Sequence, residues 1–201
     1  MSYRKQKVEI IEPQKGYDMI AKEYKKYHKK LDMWDQGLWQ RFLPRDLYWK
    51  VVLDVGAGDC RLYKFLKDKG IKKYIACDIS EKMLSQCKWA NEKIICDLNQ
   101  HWPIEDESVD IILAFFVILH LEDLNNFFSE AYRVLKPWWR MIVLHHIERR
   151  QEVFKVGKKE FKIKNFGWRF DEIEEMAKYN FFEVESMEIP DGGGKVYLFK
   201  K

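Results

Sequence analysis

The residue types best suited to chemistry stand together in one stretch, from Val51 to Arg61, with the sequence VVLDVGAGDCR. An apolar run contains the carboxylate Asp54, and Gly56 and Gly58 then let the backbone turn tightly before a helix begins. At the carboxyl edge of a parallel sheet, such a turn is where open α/β folds bind ligands. Because glycine has no Cβ atom, a ligand can lie directly against the main chain. We therefore predict a ligand site at this turn.

Two further carboxylates follow the next two apolar runs. Asp78 suits the vicinal hydroxyls of a ribose. Asp97 could accept a hydrogen bond from the exocyclic amine of a base. Each of them alone could be a solvated residue at the end of a strand, and the glycines alone could serve the geometry of the turn. Three such features along one sheet edge predict a nucleoside site.

The glycine pattern also discriminates between nucleotides. A pyrophosphate site of the dinucleotide-binding type needs G-x-G-x-x-G at the start of a helix, but Arg61 stands in place of the third glycine. Asp54, two residues before the first glycine, would repel a pyrophosphate and suits a ligand with an ammonium group. The ligand should therefore carry adenosine and an amino-acid end.

These residues can form one site only if a sheet places them along the same edge. Short apolar runs without alternation are typical of strands buried on both faces, and segments with helical spacing separate them. This order predicts a doubly wound α/β sheet with right-handed crossovers. The predicted strands span residues 51–55, 74–77, 93–96, 109–115 and 141–145.

The C-terminal part differs from this alternation. Asp171 can cap a helix, with Glu174 three positions on. Two β-rich runs follow, residues 181–189 and 195–200, joined by Pro190 and a glycine-rich turn. Because so short a connection can only make a hairpin, the last strand must run antiparallel to its neighbour. The predicted fold class is α/β, with a doubly wound, seven-stranded, mostly parallel sheet and an antiparallel C-terminal strand.

Two segments should lie outside this sheet. Apolar residues at helical spacing from Tyr17 to Leu31 predict an amphipathic helix with lysines on its other face. Residues 152–164 predict a hairpin that turns at Gly157. Its lysines, interleaved with phenylalanines, could grip an RNA backbone, although such a charge run is more often a solvated face. They are Lys155, Lys158, Lys159, Lys162 and Lys164.

Composition limits the class of protein. A chain of 201 residues with 47% hydrophobic and 34% charged residues predicts one folded domain. No apolar run is long enough for a membrane span, and the charged start lacks the apolar core of a secretory signal, so we expect a cytoplasmic protein. The net charge of +4 permits an anionic partner without requiring one.

Without a C-x-x-C pair, the four cysteines should be reduced, buried thiols rather than metal ligands: Cys60, Cys77, Cys87 and Cys96.

From Val51 to Val143 the chain resembles the class I S-adenosylmethionine-dependent methyltransferases, which have a Rossmann-like fold. It is most similar to the type 11 group, which includes the C-methyltransferases of quinone biosynthesis. The resemblance lies in residues 53–58, in Asp78, in residues 97–98, and in the stretches 109–121 and 130–137. Residues 17–24 resemble the helix that covers the cofactor in that group. It implies S-adenosyl-L-methionine as cofactor and S-adenosyl-L-homocysteine as product.

The resemblance and the arguments above predict a site without metal. His120 is the candidate catalytic base if the acceptor must lose a proton, although it could instead pack in its loop. Tyr17 and Tyr24 could close over the cofactor or only pack their helix. His145 and His146 could face the acceptor or lie in the core. The predicted cofactor-binding residues are Tyr17, Tyr24, Asp54, Gly56, Ala57, Gly58, Asp78, Ile79, Asp97, Leu98, Ala114 and Phe115.

Two residues depart from the family pattern. Cys60 occupies the family's third glycine position, where its side chain could crowd the carboxylate of the cofactor. Trp138 and Trp139 stand where the family has a Gly-Gly turn. Because tryptophan adopts a positive φ only at a cost, either this turn differs or a glycine codon has been read as tryptophan.

The chain is thus interpreted as a single methyltransferase domain, a monomer or a homodimer. It should comprise a helical lid (1–48), a cofactor-binding core (49–147), a hairpin insertion (148–168) and a C-terminal helix with a β-hairpin (169–201). The acceptor should be a small molecule. RNA and protein acceptors stay open, with nucleic acid disfavoured. A nicotinamide-dependent oxidoreductase and a non-catalytic cofactor-binding scaffold are the alternatives.

Overall fold

The computed structural model describes residues 8–27, 37–147, 152–190 and 193–201. The strands are β1 (Glu9–Ile11), β2 (Val51–Val55), β3 (Lys73–Asp78), β4 (Glu92–Ile95), β5 (Val109–Phe115), β6 (Leu135–His146), β7 (Phe154–Val156), β8 (Lys159–Ile163), β9 (Glu183–Ile189) and β10 (Gly194–Lys200). The α-helices are α1 (Pro13–Ile20), α2 (Tyr24–Tyr27), α3 (Glu81–Leu84), α4 (Leu124–Val134) and α5 (Phe170–Tyr179). No helix in this described part of the chain is long and apolar enough to cross a bilayer.

The main sheet has seven strands in the order β4-β3-β2-β5-β6-β10-β9. Strands β2 to β6 are paired in parallel, whereas β10 runs antiparallel to both β6 and β9. The predicted seven-stranded sheet with its antiparallel C-terminal strand is therefore confirmed.

Both faces of this sheet are covered, which explains the continuous apolar runs. On one face, Leu53 and Val55 of β2 pack in a cluster that includes Phe127 of α4. On the other face, the alternate residue Val52 packs with Leu62. The whole of β5 is buried. Strands buried on two sides need apolar residues at every position, as the sequence has them.

Two helix predictions need correction. Helix α5 begins at Phe170 rather than after a cap at Asp171, because the N–H of Arg169 is held by the carboxylate of Glu172 at 2.8 Å. Glu174 instead pairs with Lys195, Nζ to Oε1, at 3.1 Å. The helix predicted after the glycine turn is a short 3₁₀ segment, Arg61–Phe65.

The N-terminal segment and the hairpin form a separate layer, here called the cover (residues 9–27 and 154–164). Strand β1 pairs in parallel with β8, and α1 lies on the hairpin. The two approach so closely that a Cβ atom on Gly16 would lie 2.6 Å from Cγ1 of Ile163. The predicted continuation of the helix to Leu31 lies outside the described residues.

The predicted Gly-Gly turn falls within β6, where the pairing with β5 shifts its register, and the backbone at Trp138 is left-handed. Trp138 has φ +69° and is 89% exposed, and its N–H donates to the carbonyl of Lys201 at 3.1 Å. The backbone at this position therefore keeps the conformation that favours glycine. Trp139 is half-buried, with the ammonium of Lys50 4.4 Å from the centre of its ring.

Candidate functional site

A cavity of about 370 Å³ lies at the carboxyl ends of β2, β3, β4 and β5, beneath the cover. Its volume is in the range of small-molecule sites. The structure brings most of the predicted site residues into its wall: Tyr17, Tyr24, Gly56, Gly58, Asp78, Ile79, Asp97, Leu98, Phe115 and His120.

A smaller recess of about 20 Å³ shares Tyr24, Gly56, Gly58 and Phe115 with this cavity. It is also lined by two other predicted residues, Asp54 and Ala57. Ala114, in contrast, lines neither space: it is fully buried among the residues that face α4. Because side chains alternate along a strand, its neighbour Phe115 points to the opposite face.

Asp78 is fixed by backbone donors at the end of β3. One carboxylate oxygen accepts from the N–H of Gly58 and the other from the N–H of Ser80, each at 2.8 Å. Burial raises the pKa of Asp78 to about 6, and these donors oppose the rise. A carboxylate oxygen has more than one lone pair, so Asp78 can still accept from a diol in the cavity.

Asp54 is the most deeply buried carboxylate of the glycine turn. Burial raises its pKa to about 7, opposed by the hydroxyl of Tyr74, which donates to its Oδ2, and by the nearby Arg61. A cationic group would favour the charged form of such a carboxylate. This chemistry fits the ammonium end of an amino acid.

Gly56 and Gly58 both adopt the left-handed backbone that the turn requires, with φ +68° and +56°. A Cβ atom on Gly56 would lie 2.6 Å from Cγ2 of Val117. The N–H of Ala57 donates to the carbonyl of Cys77 at 3.0 Å, which ties the turn to β3. The turn is thus shaped by close backbone packing as well as by its place in the cavity wall.

Asp97 lies at the far end of the same edge. Asn99 donates to its Oδ1 from both its backbone N–H and its side-chain amide, each at 3.0 Å. The amide oxygen of Asn99 accepts from the N–H of Glu122 at 2.7 Å. Asp97 is therefore held by the loop that carries His120, with one oxygen left for a donor in the cavity.

The prediction of four free thiols is wrong for two of them. Cys60 and Cys87 form a disulfide that connects the glycine turn to the segment after α3. Cys60 has φ +61°, as a glycine would, and lines neither the cavity nor the recess. It therefore does not crowd a ligand. Cys77 and Cys96 are free and buried, as predicted.

His120 and Tyr17 meet at the wall formed by the cover. The hydroxyl oxygen of Tyr17 is 2.7 Å from Nε2 of His120, and the Nδ1 of His120 is 2.7 Å from the carbonyl oxygen of Lys164. The edge of one ring faces the other, with centres 5.3 Å apart. His120 is thus a cavity residue with an oriented ring.

The two other candidate histidines lie behind this wall. His145 is buried, and its Nε2 is 2.9 Å from the carbonyl oxygen of Trp168, to which it donates. His146 packs edge-on against Phe116, with ring centres 5.3 Å apart. Neither lines the cavity. For His145 this agrees with the alternative of a core role.

Several residues of the site were not among the predicted ones. Phe116 lines both the cavity and the recess and has a strained φ of +58°. Arg61 and Asp59 line the recess, and Lys164 lines the cavity. Arg61 and Asp59 lie in the motif itself and could have been proposed from their position. Phe116 and Lys164 depend on how distant elements pack.

The strand order and the position of this cavity define a class I methyltransferase fold, and comparison with known proteins supports that class. The model of the type 11 methyltransferase domain matches residues 53–143. A crystal structure of a protein from Pyrococcus horikoshii OT3 superposes with a TM-score of 0.72, at 21% identity, over 92% of this chain and 98% of that one. The cyclase SpnF has the same fold, with a TM-score of 0.70, at 16% identity, over 92% of this chain and 79% of that one.

Sequence comparison finds relatives that are named as methyltransferases. The chain is 33% identical over 117 residues to the ubiquinone/menaquinone biosynthesis C-methyltransferase UbiE of Rickettsia prowazekii, over 52% of this chain and 47% of that protein. It is 29% identical over 139 residues to the demethylmenaquinone methyltransferase of Tropheryma whipplei, over 66% of this chain and 58% of that protein. The chain thus spans about half the length of the relatives it matches. Residues 53–143 are thus similar to the type 11 methyltransferase domain, and the fold is that of the class I S-adenosylmethionine-dependent methyltransferases.

Proposed function

We propose that the protein transfers a methyl group from S-adenosylmethionine to a small-molecule acceptor. The observation that carries the proposal is that the glycine turn lines both the covered cavity, which Asp78 also lines, and the adjoining recess, which Asp54 lines. S-adenosylmethionine has a ribose diol, an adenine amine and an ammonium group, which match the carboxylates at the ends of β3, β4 and β2. The cofactor supplies a methyl group on a sulfonium, which a nucleophile takes by in-line displacement.

The roles of the residues follow from their positions. Asp78 would accept from the ribose hydroxyls, Asp97 from the adenine amine, and Asp54 would attract the ammonium. Ile79, Leu98 and Phe115 would pack against the apolar surface of the nucleoside, while Tyr24 would close the site from the cover. Holding acceptor and cofactor in line, and excluding water, supplies most of the catalysis in a transfer of this kind.

A small acceptor suits the geometry better than a macromolecule. The cofactor and the acceptor must share about 370 Å³, and the cover lies across this space. The relatives are named for ubiquinone/menaquinone biosynthesis and for demethylmenaquinone, and Leu121 and Phe166 are among the apolar residues that line the cavity. An acceptor with an apolar ring would pack well there. The cytoplasmic location and the oligomeric state stay predictions.

Calorimetric titration tests the cofactor assignment. We expect S-adenosylhomocysteine to bind and NADH not to bind. Asp78→Ala should weaken the binding of S-adenosylhomocysteine by about 1.5–3 kcal/mol, roughly ten- to a hundredfold or more, because a charge-assisted hydrogen-bond acceptor is lost. The matched control is Asp68→Ala, since the side chain of Asp68 is 87% exposed. Equal affinity of Asp78→Ala and wild type would remove Asp78 from the site.

A labelling experiment tests the transfer itself. Purified protein, cell extract and S-adenosylmethionine with a radioactive methyl group are incubated with and without ribonuclease. We expect the label in the small-molecule fraction in both cases. Label in RNA that ribonuclease removes, or in protein, would favour the alternative acceptors. Binding of the cofactor without transfer to any fraction would favour a non-catalytic scaffold.

A further inference from the structure

A disulfide connects the glycine turn to the segment that follows β3. It joins Cys60, the residue before the 3₁₀ segment, to Cys87, three residues after the end of α3. The two Cα atoms are 5.1 Å apart, which is within the ordinary range for such a bond. Both cysteines are buried. The bond therefore fastens the turn to residues 80–87, here called the α3 segment.

The α3 segment contacts the cofactor site at its first end. The N–H of Ser80 donates to one oxygen of Asp78 at 2.8 Å, and the N–H of Gly58 donates to the other. Met83 lines the cavity and lies against the turn, since a Cβ atom on Gly58 would lie 3.2 Å from its Cε atom. Asp78, the glycine turn and the α3 segment are therefore packed as one unit.

The same segment also holds the cover. The hydroxyl of Ser80 donates to the carboxylate of Asp18 on α1 at 2.6 Å. The side-chain amide of Gln86, which is next to Cys87 in the chain, donates to the carbonyl of Ala21 at 2.6 Å. A displacement of the α3 segment would therefore disturb both Asp78 and the cover.

Local structure alone does not fix this segment. Helix α3 has four residues, a single turn that is not stable by itself. Leu84 and Cys87 pack in the apolar cluster on one face of the main sheet. Residues 88–91 of the described chain form neither helix nor strand. The disulfide is thus the covalent attachment of the second end of the α3 segment.

We propose that the disulfide of Cys60 and Cys87 regulates the cofactor site: the oxidised protein holds S-adenosylmethionine beneath a closed cover, and reduction by a dithiol frees the α3 segment and weakens that binding. This inference rests on the proposed function and adds its regulation. A thiolate of the dithiol attacks one sulfur atom, the S–S bond breaks, and the second thiolate then displaces the cysteine from the mixed disulfide. The dithiol loses two electrons and two protons and becomes a disulfide, and the protein gains two thiols.

Binding and reduction must be coupled in both directions. Without the bond, the α3 segment gains states in which it has left the turn, and these states position neither Asp78 nor the cover for binding. By linkage, the factor by which oxidation strengthens cofactor binding is also the factor by which bound cofactor opposes reduction. Because both cysteines are buried, the segment must open before a reductant reaches the sulfur atoms, so bound cofactor should also slow the reaction.

Calorimetric titration with S-adenosylhomocysteine tests the effect of the bond on binding. The whole protein is purified without reductant, alkylation and mass spectrometry identify the bond, and half of the sample is reduced with dithiothreitol. We expect reduction to raise the Kd about tenfold or more, and reoxidation to restore it.

Three variants complete this test. Cys87→Ser and Cys60→Gly each remove the bond, and Cys60→Gly also suits the left-handed backbone there, with φ +61°. Both should bind S-adenosylhomocysteine with the affinity of the reduced protein, whether or not dithiothreitol is present. Cys77→Ala is the matched control, because Cys77 is a free, buried thiol, and this variant should keep the response to dithiothreitol.

Two measurements that need no methyl transfer test the coupling. In dithiothreitol redox buffers, saturating S-adenosylhomocysteine should lower the reduction potential of the disulfide by about 30 mV for each tenfold difference in Kd. Without ligand, reduction should speed hydrogen exchange in residues 80–87 and 13–27 and leave exchange in the buried strand β5 unchanged.

The outcomes separate this inference from the proposed function. Absence of S-adenosylhomocysteine binding to the oxidised protein would remove the proposed function. Binding with equal affinity to oxidised and reduced protein would overturn the inference and leave the cofactor assignment intact. Free thiols at Cys60 and Cys87 after purification in air would also overturn it. Unfolding of the whole chain on reduction would do the same, because the bond would then hold the fold rather than the site.

Discussion

At the scale of single residues, the site holds two buried carboxylates, Asp54 and Asp78. Asp54 is stabilised by Tyr74 and Asp78 by backbone N–H groups, yet burial dominates and raises both pKa values, to about 7 and about 6. Structural carboxylates are usually paired so that their pKa falls. A raised pKa in a cavity wall instead indicates groups that a cationic ligand would compensate.

The first prediction concerns Asp54 and pH. Its pKa is about 7 in the folded chain against 3.8 ordinarily, so the folded state binds the proton more tightly. The contribution of Asp54 to the free energy of unfolding is therefore present in full below about pH 4 and is lost as the pH rises through about 7, by on the order of 4 kcal/mol. Asp54→Asn should gain stability relative to wild type across this window in urea unfolding. The exposed Asp68→Asn should show no gain in stability over wild type as the pH rises. If Asp54→Asn also showed none, Asp54 would be solvated and the prediction would be wrong.

A second prediction concerns Trp138. A bulky residue with φ +69° costs about 1–2 kcal/mol, and at 89% exposure its ring buries little apolar surface in return. Trp138→Gly should therefore raise the free energy of unfolding by about 0.5–1 kcal/mol, after the larger chain entropy of glycine. Thermal and urea unfolding measure this change. Trp89→Gly is the contrasting control, since Trp89 is exposed but stacks on Tyr63, and it should destabilise. Loss of stability in Trp138→Gly would contradict the argument.

At the scale of elements, the sequence predicted what depends on local pattern and missed what depends on distant pairing. The parallel strands could be predicted because burial on both faces demands continuous apolar runs, and the hairpin of β9 and β10 because its connection is short. Strand β1 has three residues and no period, and its partner β8 is far along the chain. The disulfide of Cys60 and Cys87 likewise depends on where α3 packs.

The residues of the site divide in the same way, into those that a local sequence pattern marks and those that distant pairing brings together. Asp54, Asp78 and the glycines stand at strand ends that the sequence marks. The contact between Tyr17 and His120 joins residues 103 positions apart, so no local spacing encodes it. It depends on the pairing of β1 with β8, which sets α1 over the loop after β5.

The cover is the element expected to move. Beyond Tyr17, the polar contacts of α1 and the turn that follows it include three to the main domain. Ser80 donates to Asp18 at 2.6 Å, the N–H of Lys82 donates to the same carboxylate at 3.4 Å, and Gln86 donates to the carbonyl of Ala21 at 2.6 Å. Its apolar cluster is small and separate from the cores of the main sheet. A layer with a small apolar cluster of its own opens locally at a low free-energy cost, and a ligand beneath it opposes that opening.

Hydrogen exchange checks this third prediction. Protection in residues 13–27 should rise about tenfold or more when S-adenosylhomocysteine is added at roughly 100 times its Kd, whereas β2 stays protected in both states. Asp18→Ala should speed exchange in α1 without ligand, and the exposed Lys22→Ala should not. Identical exchange with and without ligand would make the cover a fixed element and remove Tyr17 and Tyr24 from the cofactor site.

At the scale of the whole molecule, the balance of charge bears on the class of partner. The lysines of the hairpin do not form a free basic patch. Lys155 pairs with Glu160 at 3.5 Å, Lys159 with Glu9 at 3.0 Å, and Lys164 with Glu12 at 3.4 Å. Two of these carboxylates come from the N-terminal segment, so folding of the cover itself pairs two of the five lysines. A net charge of +4 over 201 residues adds little long-range attraction.

The last prediction is that the folded protein does not bind RNA appreciably at about 150 mM salt, with a Kd weaker than about 10 μM in fluorescence anisotropy. Lysines that contact phosphates release the counterions of the nucleic acid, and three of the five hairpin lysines are already paired with carboxylates. Replacing the partners, as in Glu9→Gln with Glu160→Gln, should therefore create weak binding that vanishes as salt rises. Submicromolar binding of the wild type, lost when Lys155, Lys158, Lys159, Lys162 and Lys164 are changed to glutamine, would show that RNA displaces these ion pairs, and would make RNA the acceptor to test first.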